Sequence, residues 1–477
     1  MSQVRLLMIS VKMPKSLLKS VETIKNICYH KEKRKMESNM EAYLLQGYIS
    51  PNDTQGSTDS ESIQNAVDFA SKAGIDRIVI PRYNQRENSF VWTVDKAIRL
   101  PSGMTVVLDD CFMVMADGAY ANFFINSNAY LPISLTPEGR QERISIIGRG
   151  NATLDGGKPN DLTEKTSLVN GLPNIIENSP IVFINVEYFS VENISITNQR
   201  YWGMRFEFCA RGSIRNIFTN VTRDRPNQDG INLRNGCHDI LIEHIHGQTG
   251  DDMIALSAID YDDSAGNYGN FIVEGFSNDI HDVTIRDISG FAIGHPLVAL
   301  RNHNGAKIYN ITIDTVRDTP MLQHANYEDE ERYGIIRIGN NSYFHTRPSV
   351  IGETYNISIN NVFVSHSKRG IVIMATLKNS RFTNIFASGD CKSVVAVTDL
   401  YSKVKGAQLE NISVSGVTFS GTGEDTQVFD FSVMRESDYV KNLSLSQATL
   451  ENVGRLYALA EGCTRFEFSE SDIHYAK

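Results

Sequence analysis

The sequence predicts an all-β chain: a right-handed, single-stranded parallel β-helix with a short capping helix at its N-terminal end. Three observations predict it. A short alternating pattern returns through most of the chain, its copies often carry Asn or Asp before the last apolar position, and no composition break divides the 477 residues. A chain of this length exceeds what one compact core ordinarily organises, so a uniform sequence points to a fold that grows by repetition.

The repeat runs apolar, polar, apolar, polar, often Asn or Asp, then apolar. Copies stand at Phe189-Ser-Val-Glu-Asn-Ile194, Gly212-Ser-Ile-Arg-Asn-Ile217, Ile240-Leu-Ile-Glu-His-Ile245, Val283-Thr-Ile-Arg-Asp-Ile288 and Ile311-Thr-Ile-Asp-Thr-Val316. Later ones are Ile357-Ser-Ile-Asn-Asn-Val362, Ser380-Arg-Phe-Thr-Asn-Ile385, Ile412-Ser-Val-Ser-Gly-Val417 and Leu443-Ser-Leu-Ser-Gln-Ala448. The basic spacing is roughly two dozen residues, the period of a solenoid. Alternation over five or six residues means strand, and strands so short bury a face only by stacking on their neighbours. Neither a leucine lattice nor a 3.6-residue period competes.

Asn193, Asn216, Asn361 and Asn384 share the position before the last apolar residue and predict a turn ladder of stacked amides. The Asn-x-Ser/Thr motifs at Asn193, Asn310, Asn356, Asn411 and Asn442 are then by-products of strand composition rather than glycosylation sites. Cys209 and Cys237 also share a register, as stacked thiols rather than a disulfide. Before the repeat, Ile63, Ala66, Val67 and Ala70 recur at helical spacing between Asp59 and Gly74, followed by the strand Ile78-Val-Ile-Pro81. A helix there would cap the open end of the stack.

Composition sets the outer limits. A net charge of -10 argues against a nucleic-acid partner, since phosphate binding wants a basic face. No apolar run approaches the ~18 residues of a membrane span. Six cysteines are scattered without metal-site or scaffold spacing, which reads as buried free thiols. Residues 1–45 are expected to be a loosely ordered extension and 46–477 the catalytic β-helix. Without a clear signal peptide the expectation is a cytoplasmic protein, with secretion as the alternative.

Aligning the strands also aligns what precedes them. Asn227-Gln-Asp229-Gly-Ile-Asn-Leu233, Gly250-Asp-Asp252-Met-Ile-Ala-Leu256 and Ile293-Gly-His295-Pro-Leu-Val-Ala299 are matched in one register. That stacks Asp229 on Asp252 at about one strand spacing, roughly 4.8 Å, with Asp251 beside them and His295 further along the same face. Carboxyl groups this close cannot all ionise freely, so one holds a proton beside an ionised partner. Glycosidic bond cleavage requires such a pairing. Each motif alone is also an ordinary turn sequence; recurrence in one register with a histidine points to chemistry.

The ordered set resembles the glycoside hydrolases of the polygalacturonase type, family 28, whose pattern is Asn-Thr-Asp, Gly-Asp-Asp, Gly-His-Gly and Arg-Ile-Lys. Pro226-Asn-Gln-Asp-Gly-Ile231, Gly250-Asp-Asp252, Gly294-His-Pro-Leu297 and Arg337-Ile-Gly339 stand in that order. The likeness extends to Asp59 through Pro81, Gly148-Arg-Gly150, Leu154-Asp-Gly156 and Tyr201-Trp202, over about residues 50–420. It implies a pectin-lyase-like β-helix that hydrolyses a pectic or related uronate-containing poly- or oligosaccharide, with no metal or other cofactor. It also implies Asp252 as the general acid, Asp229 and Asp251 as the bases that activate water, His295 as the group that tunes or orients the acid, and Arg337 as a holder of substrate carboxylate or hydroxyl.

Asn227, Gln228, Trp202, Arg225 and Arg301 are further candidates for substrate contact, Trp202 as a sugar platform. Gln228 stands for the family's Thr, Pro296 for a Gly, and Gly339 for the Lys that with Arg would neutralise a galacturonate carboxylate. One cation fewer predicts poor activity on plain polygalacturonate, unless Arg223, Arg225, Arg234, Arg301 or Lys307 compensates. An insertion at about residues 258–290 carries Asp260, Tyr261, Asp262 and Asp263, which reads equally as a rim that selects substrate ends and as a solvated loop. The alternatives are a polysaccharide lyase or epimerase on the same fold, and a non-catalytic glycan-binding β-helix.

Overall fold

The computed structural model describes residues 46–164, 166, 171–259, 273–322, 334–339, 349–398 and 407–476. The expected extension and the rim candidates Asp260, Tyr261, Asp262 and Asp263 lie outside the described residues, as does Cys28.

The helix spans Asp59–Ala73. Thr58 opens it by accepting the Glu61 N–H, and Gly74 ends it in the left-handed region at φ 70°, where glycine carries no Cβ penalty. Ile63, Ala66, Val67 and Ala70 form its buried face. Its first residue is tied to the coil beneath: the Asp59 carboxylate accepts the Thr93 N–H at 2.8 Å and Arg86 Nε at 3.0 Å. The helix therefore closes the stack as the sequence predicts.

The 28 strands among the described residues form one parallel ladder system. Through most of the stack strands pair with those a coil away rather than with their sequence neighbours; in the last coils, from Ser393–Val397 on, consecutive strands pair because one strand there runs through most of a coil. One face runs Ile181–Ile184, Met204–Glu207, Ile231–Arg234, Ile254–Ile259, Val298–His303, Ile336–Ile338 and Arg369–Ile373. The long strands Ser190–Thr197, Ala210–Asn220, His238–Thr249, Ile280–Ala292, Ile308–Asp318 and Thr354–Val364 carry the rest of each coil.

The turn position of the repeat has a backbone cause. Asn193, Asn216, His244, Asp287, Thr315, Asn361 and Asn384 have φ between 52° and 59°, a left-handed conformation that Asn and Asp tolerate best among residues with a Cβ. There the strand bends, so pairing passes from Glu192↔Arg215 directly to Ile194↔Ile217. The bend keeps two apolar residues three positions apart on the inner side, the source of the pattern. Asn216 Nδ2 donates to Asn193 Oδ1 at 2.8 Å, and Asn384 Nδ2 to Asn360 Oδ1 at 3.0 Å. The other Asn-x-Ser/Thr asparagines share the left-handed φ, and Asn442 donates to Asn411 at 3.1 Å.

Inside, side chains stack in columns. Ile214, Ile242, Ile285 and Ile313 are consecutive partners and wholly buried. All five described cysteines are buried free thiols; burial pushes Cys209 up to about 12.

A charge inside such a column has no partner and no water, a defect among the largest single substitutions produce, about 4 kcal/mol or more. Ile242→Asp is expected to abolish soluble folded protein, while Thr312→Asp, at an exposed outward position beside Ile313 of the same column, leaves melting within a few degrees. A well-folded Ile242→Asp by circular dichroism would contradict the inward assignment.

Candidate active site

On the face that begins at Met204–Glu207, residues alternate inward and outward. Met204, Ile231, Ile254, Val298 and Ile336 point in, as do Phe206, Leu233, Leu256, Leu300 and Ile338. Two outward columns lie between and beside them. One holds Arg205, Asn232, Ala255, Ala299 and Arg337; the next holds Glu207, Arg234, Ser257, Arg301 and, by the same register, Gly339. The carboxylates sit at the N-terminal entry to these strands.

Asp229 and Asp252 stack as expected: Ile231 pairs with Ile254, and the Gly230 N–H donates to the Asp252 carbonyl at 3.0 Å. The third motif is one residue out of the matched register. Ile254 pairs with Val298, and the Met253 N–H donates to the Pro296 carbonyl at 3.3 Å, so His295 stands over Asp251. Its Nδ1 lies 2.9 Å from Asp251 Oδ1 and 3.8 Å from Asp252 Oδ1. A slip of one residue in a strand exchanges its faces, which is why the histidine serves Asp251 rather than Asp252.

The three carboxyl groups have distinct surroundings. Asp229 is 2% exposed. Its Oδ2 accepts from Asn232 Nδ2 at 3.2 Å, and its Oδ1 has no hydrogen-bond partner. Burial, reinforced by repulsion from Asp251 and Asp252, pushes its carboxyl well above the ordinary range, so Asp229 is the proton holder of the cluster. Burial would also raise Asp251, but the His295 charge and hydrogen bond, the Asp252 N–H at 2.8 Å and Arg301 outweigh it and hold that carboxyl well below the ordinary range. Asp251 is also the more open of the three, its side chain 17% exposed.

Asp252 is wholly buried and clamped. Arg337 Nη2 reaches Oδ1 at 3.3 Å and Oδ2 at 3.1 Å, and Arg301 Nη2 reaches Oδ2 at 3.0 Å. Asp251, Asp252 and His295 also place possible metal-ligand atoms within 4.8 Å of one another, but two guanidinium groups on Asp252 repel a divalent cation there.

Gly339 marks where the missing cation went. Its φ is 87°, and a Cβ there would stand 2.3 Å from the Ala375 Cβ and 2.9 Å from the Ala375 N. A lysine does not fit this backbone. The same outward column supplies Arg301 one coil earlier, so two guanidiniums bear on the site despite the glycine.

The other candidates divide. Asn227 turns the chain at φ 58°, and Gln228 is buried, its amide donating to the Gln199 carbonyl at 2.8 Å and to Asp224 Oδ1 at 3.1 Å. Gln228 braces the turn from beneath. Arg225 grips Asp224 through Nε at 2.9 Å and Nη2 at 2.6 Å. Trp202 is only 4% exposed: Tyr201 stacks on it at 4.8 Å, with Arg205 at 5.1 Å and Arg234 at 5.4 Å over its ring. Packing of the coil against buried guanidiniums, rather than an open sugar platform, is its role. Arg234 belongs to that internal network, 3.8 Å from Glu207, which also binds the wholly buried Arg205. Arg223 donates to the Ile293 carbonyl at 3.1 Å below the histidine turn, and Lys307 is exposed beyond the Asn304 turn. Asn232 escaped the motif search; only its outward position two residues into the strand distinguishes it.

Residues 139–263, which carry the first two motifs, match the family model of Glycosyl hydrolases family 28. The resemblance drawn from the motifs holds over that segment. Among solved structures, an exopolygalacturonase from Thermotoga maritima aligns over 92% of this chain and 96% of its own at 15% identity, with a TM-score of 0.47. The A-module of a mannuronan C-5 epimerase from Azotobacter vinelandii aligns over 88% and 99% at 12% identity, TM-score 0.54. A tailspike protein of an E. coli bacteriophage, solved with a pentasaccharide, aligns over 91% and 66% at 13% identity, TM-score 0.51. The last two likenesses establish the parallel β-helix fold. No curated protein sequence matches the chain significantly.

The raised Asp229 carboxyl has a measurable consequence. A folded-state value above the unfolded one contributes stability that is full below the ordinary Asp range and is lost as pH rises through the raised value. Asp229→Asn cannot ionise and escapes that loss. Its melting temperature relative to the unaltered protein is expected to climb as pH rises from the ordinary Asp value of about 3.9 through the raised one; a difference independent of pH would contradict the shift.

Proposed function

We propose that this chain is a glycoside hydrolase that cleaves a pectic or related uronate-containing glycan, with acid and base supplied by Asp229, Asp251 and Asp252. The observation that carries the reading is the stacking of Asp229 on Asp252 in adjacent coils, with Asp251 and two guanidiniums beside them, an arrangement that pushes one carboxyl well above the ordinary range and holds another well below it. Protonated and ionised carboxyls side by side are the requirement for donating to a leaving oxygen while water is activated.

The division of roles departs from what the motifs alone imply. Asp252 has no exposure, and both its oxygens face guanidinium groups, so it is not the donor. Two properties separate the other two: Asp229 holds the proton at rest, and Asp251 has access to the cleft. The donor is drawn from these, while Asp252 fixes Arg301 and Arg337. His295 orients Asp251.

Arg301 and Arg337 converge on Asp252, and Arg301, the more open of the two with its side chain 15% exposed, is placed to meet an anionic ligand. Charge-assisted bonds to such a ligand contribute about 1.5–3 kcal/mol each. A uronate at the scissile position suits this pair, so the glycine at 339 does not by itself disfavour polygalacturonate.

One experiment tests reaction class and roles together. Polygalacturonate and a panel of plant and bacterial polysaccharides are digested, following reducing ends and the absorbance of unsaturated ends. Hydrolysis predicts reducing ends without unsaturation, unaffected by chelator; unsaturated product lost in chelator would favour a lyase. With an aryl uronide, whose good leaving group needs no protonation, Asp229→Asn or Asp251→Asn is expected to regain activity and Asp252→Asn to stay depressed by orders of magnitude. Rescue confined to Asp252→Asn would restore it as the donor.

A further inference from the structure

We infer that the cavity beside the Asn227 turn is a second substrate subsite, one that takes the carboxylate of a uronic acid unit away from the scissile bond; the inference rests on the hydrolase reading above. The cavity has a volume of about 430 Å³, and its lining includes Leu162, Thr163, Arg200, Tyr201, Arg225 and Asn227. That is within the size range of pockets that enclose a small ligand. Asn227 is two residues before Asp229, so the cavity adjoins the catalytic turn.

Its two guanidiniums are incompletely matched. Arg200 is 5% exposed, yet it meets only carbonyl oxygens, of Ala119 at 2.7 Å and Ala116 at 2.9 Å, and its buried Nε has no hydrogen-bond partner. Asp117 and Asp155 act on it from beyond ion-pair distance. Burial and the like charge of Arg225 lower it to about 10. Arg225 spends Nε and Nη2 on Asp224, and its buried Nη1 has no hydrogen-bond partner.

A buried charge without a counter-ion is strongly unfavourable; Arg200 has no carboxylate at ion-pair distance, and the like charge of Arg225, itself paired with Asp224, adds to its cost. A carboxylate entering the cavity supplies the counter-charge that Arg200 lacks. The opposite wall suits a sugar ring: Tyr201 presents an aromatic ring, its hydroxyl donating to Glu164 at 2.8 Å, and Leu162 is apolar. The Glu164 and Asp224 carboxylates are both already engaged, with Tyr201 and Arg225. The ligand class is therefore a uronate residue, distinct from the one Arg301 and Arg337 address.

Oligogalacturonates of three to five units, as free acid and as methyl ester, separate the charge from the ring. Arg225→Gln is expected to raise KM for the free acid about 10- to 100-fold, the worth of one charge-assisted bond, with kcat changed far less and the methyl ester little affected. Thr163→Trp, a substitution at an exposed position of the rim, is expected to raise KM for both forms by filling the cavity. An unchanged free-acid KM in Arg225→Gln, or an equal rise for both forms, would overturn the subsite. If the unaltered protein hydrolyses neither form, the hydrolase reading fails separately. Calorimetric titration with the free-acid trimer then decides the subsite: binding weakened by the same factor in Arg225→Gln supports it, and equal binding rejects it.

Discussion

The interaction on which everything else depends is the parallel backbone ladder between successive coils. Each strand residue donates to and accepts from the coils on either side, so a residue is fixed over its counterpart at roughly 4.8 Å. The chain has no freedom to place one functional side chain without placing its column. Ile214, Ile242, Ile285 and Ile313 fill one such column because an inward position must be apolar in every coil. Asp229 and Asp252 share a column for the same reason and are held together by hydrogen bonds that belong to the fold. The fold supplies the energy that keeps two carboxyl groups closer than they would choose.

The electrostatics of the site follow from that constraint. Two stacked carboxyls and a third beside them would repel if all were ionised. The structure answers in three ways: burial of Asp229, which pushes its carboxyl well above the ordinary range, His295 against Asp251, and guanidinium groups of Arg301 and Arg337 on Asp252. Each response is also a function. On the proposed function, a raised carboxyl supplies a proton, the histidine orients the more open carboxylate, and the arginines fix the third. Stability surrendered at a functional site in this way is a general feature of enzymes.

The fold was legible because its signal is local and repeated. A left-handed turn residue between apolar positions has one backbone explanation, and Asn193, Asn216, Asn361 and Asn384 display it in the sequence itself. The stacking of Asp229 on Asp252 was legible through Ile231 and Ile254, which mark their strands. The partner of His295 was not, because Leu297 and Val298 are both apolar and nothing in composition says which of them faces inward. Between a sugar platform and a packed coil aromatic the sequence could not choose for Trp202, because the guanidiniums that cover it, Arg205 and Arg234, come from the strand that follows it and from the next coil. The clamp by Arg301 and the obstruction of Gly339 by Ala375 depend on contacts between coils, which a motif cannot express.

The central claim is that coil register, by pressing Asp229 against Asp252 away from water, keeps one carboxyl protonated beside ionised neighbours. Infrared difference titration of the protonated carboxyl band, comparing the unaltered protein with Asp229→Asn and Asp252→Asn, measures this without relying on turnover. The account predicts one protonated carboxyl persisting well above the ordinary Asp value of about 3.9, absent in Asp229→Asn and titrating at lower pH once the Asp252 charge is removed. Loss of every protonated carboxyl band in the ordinary range, the same in all three proteins, would contradict it.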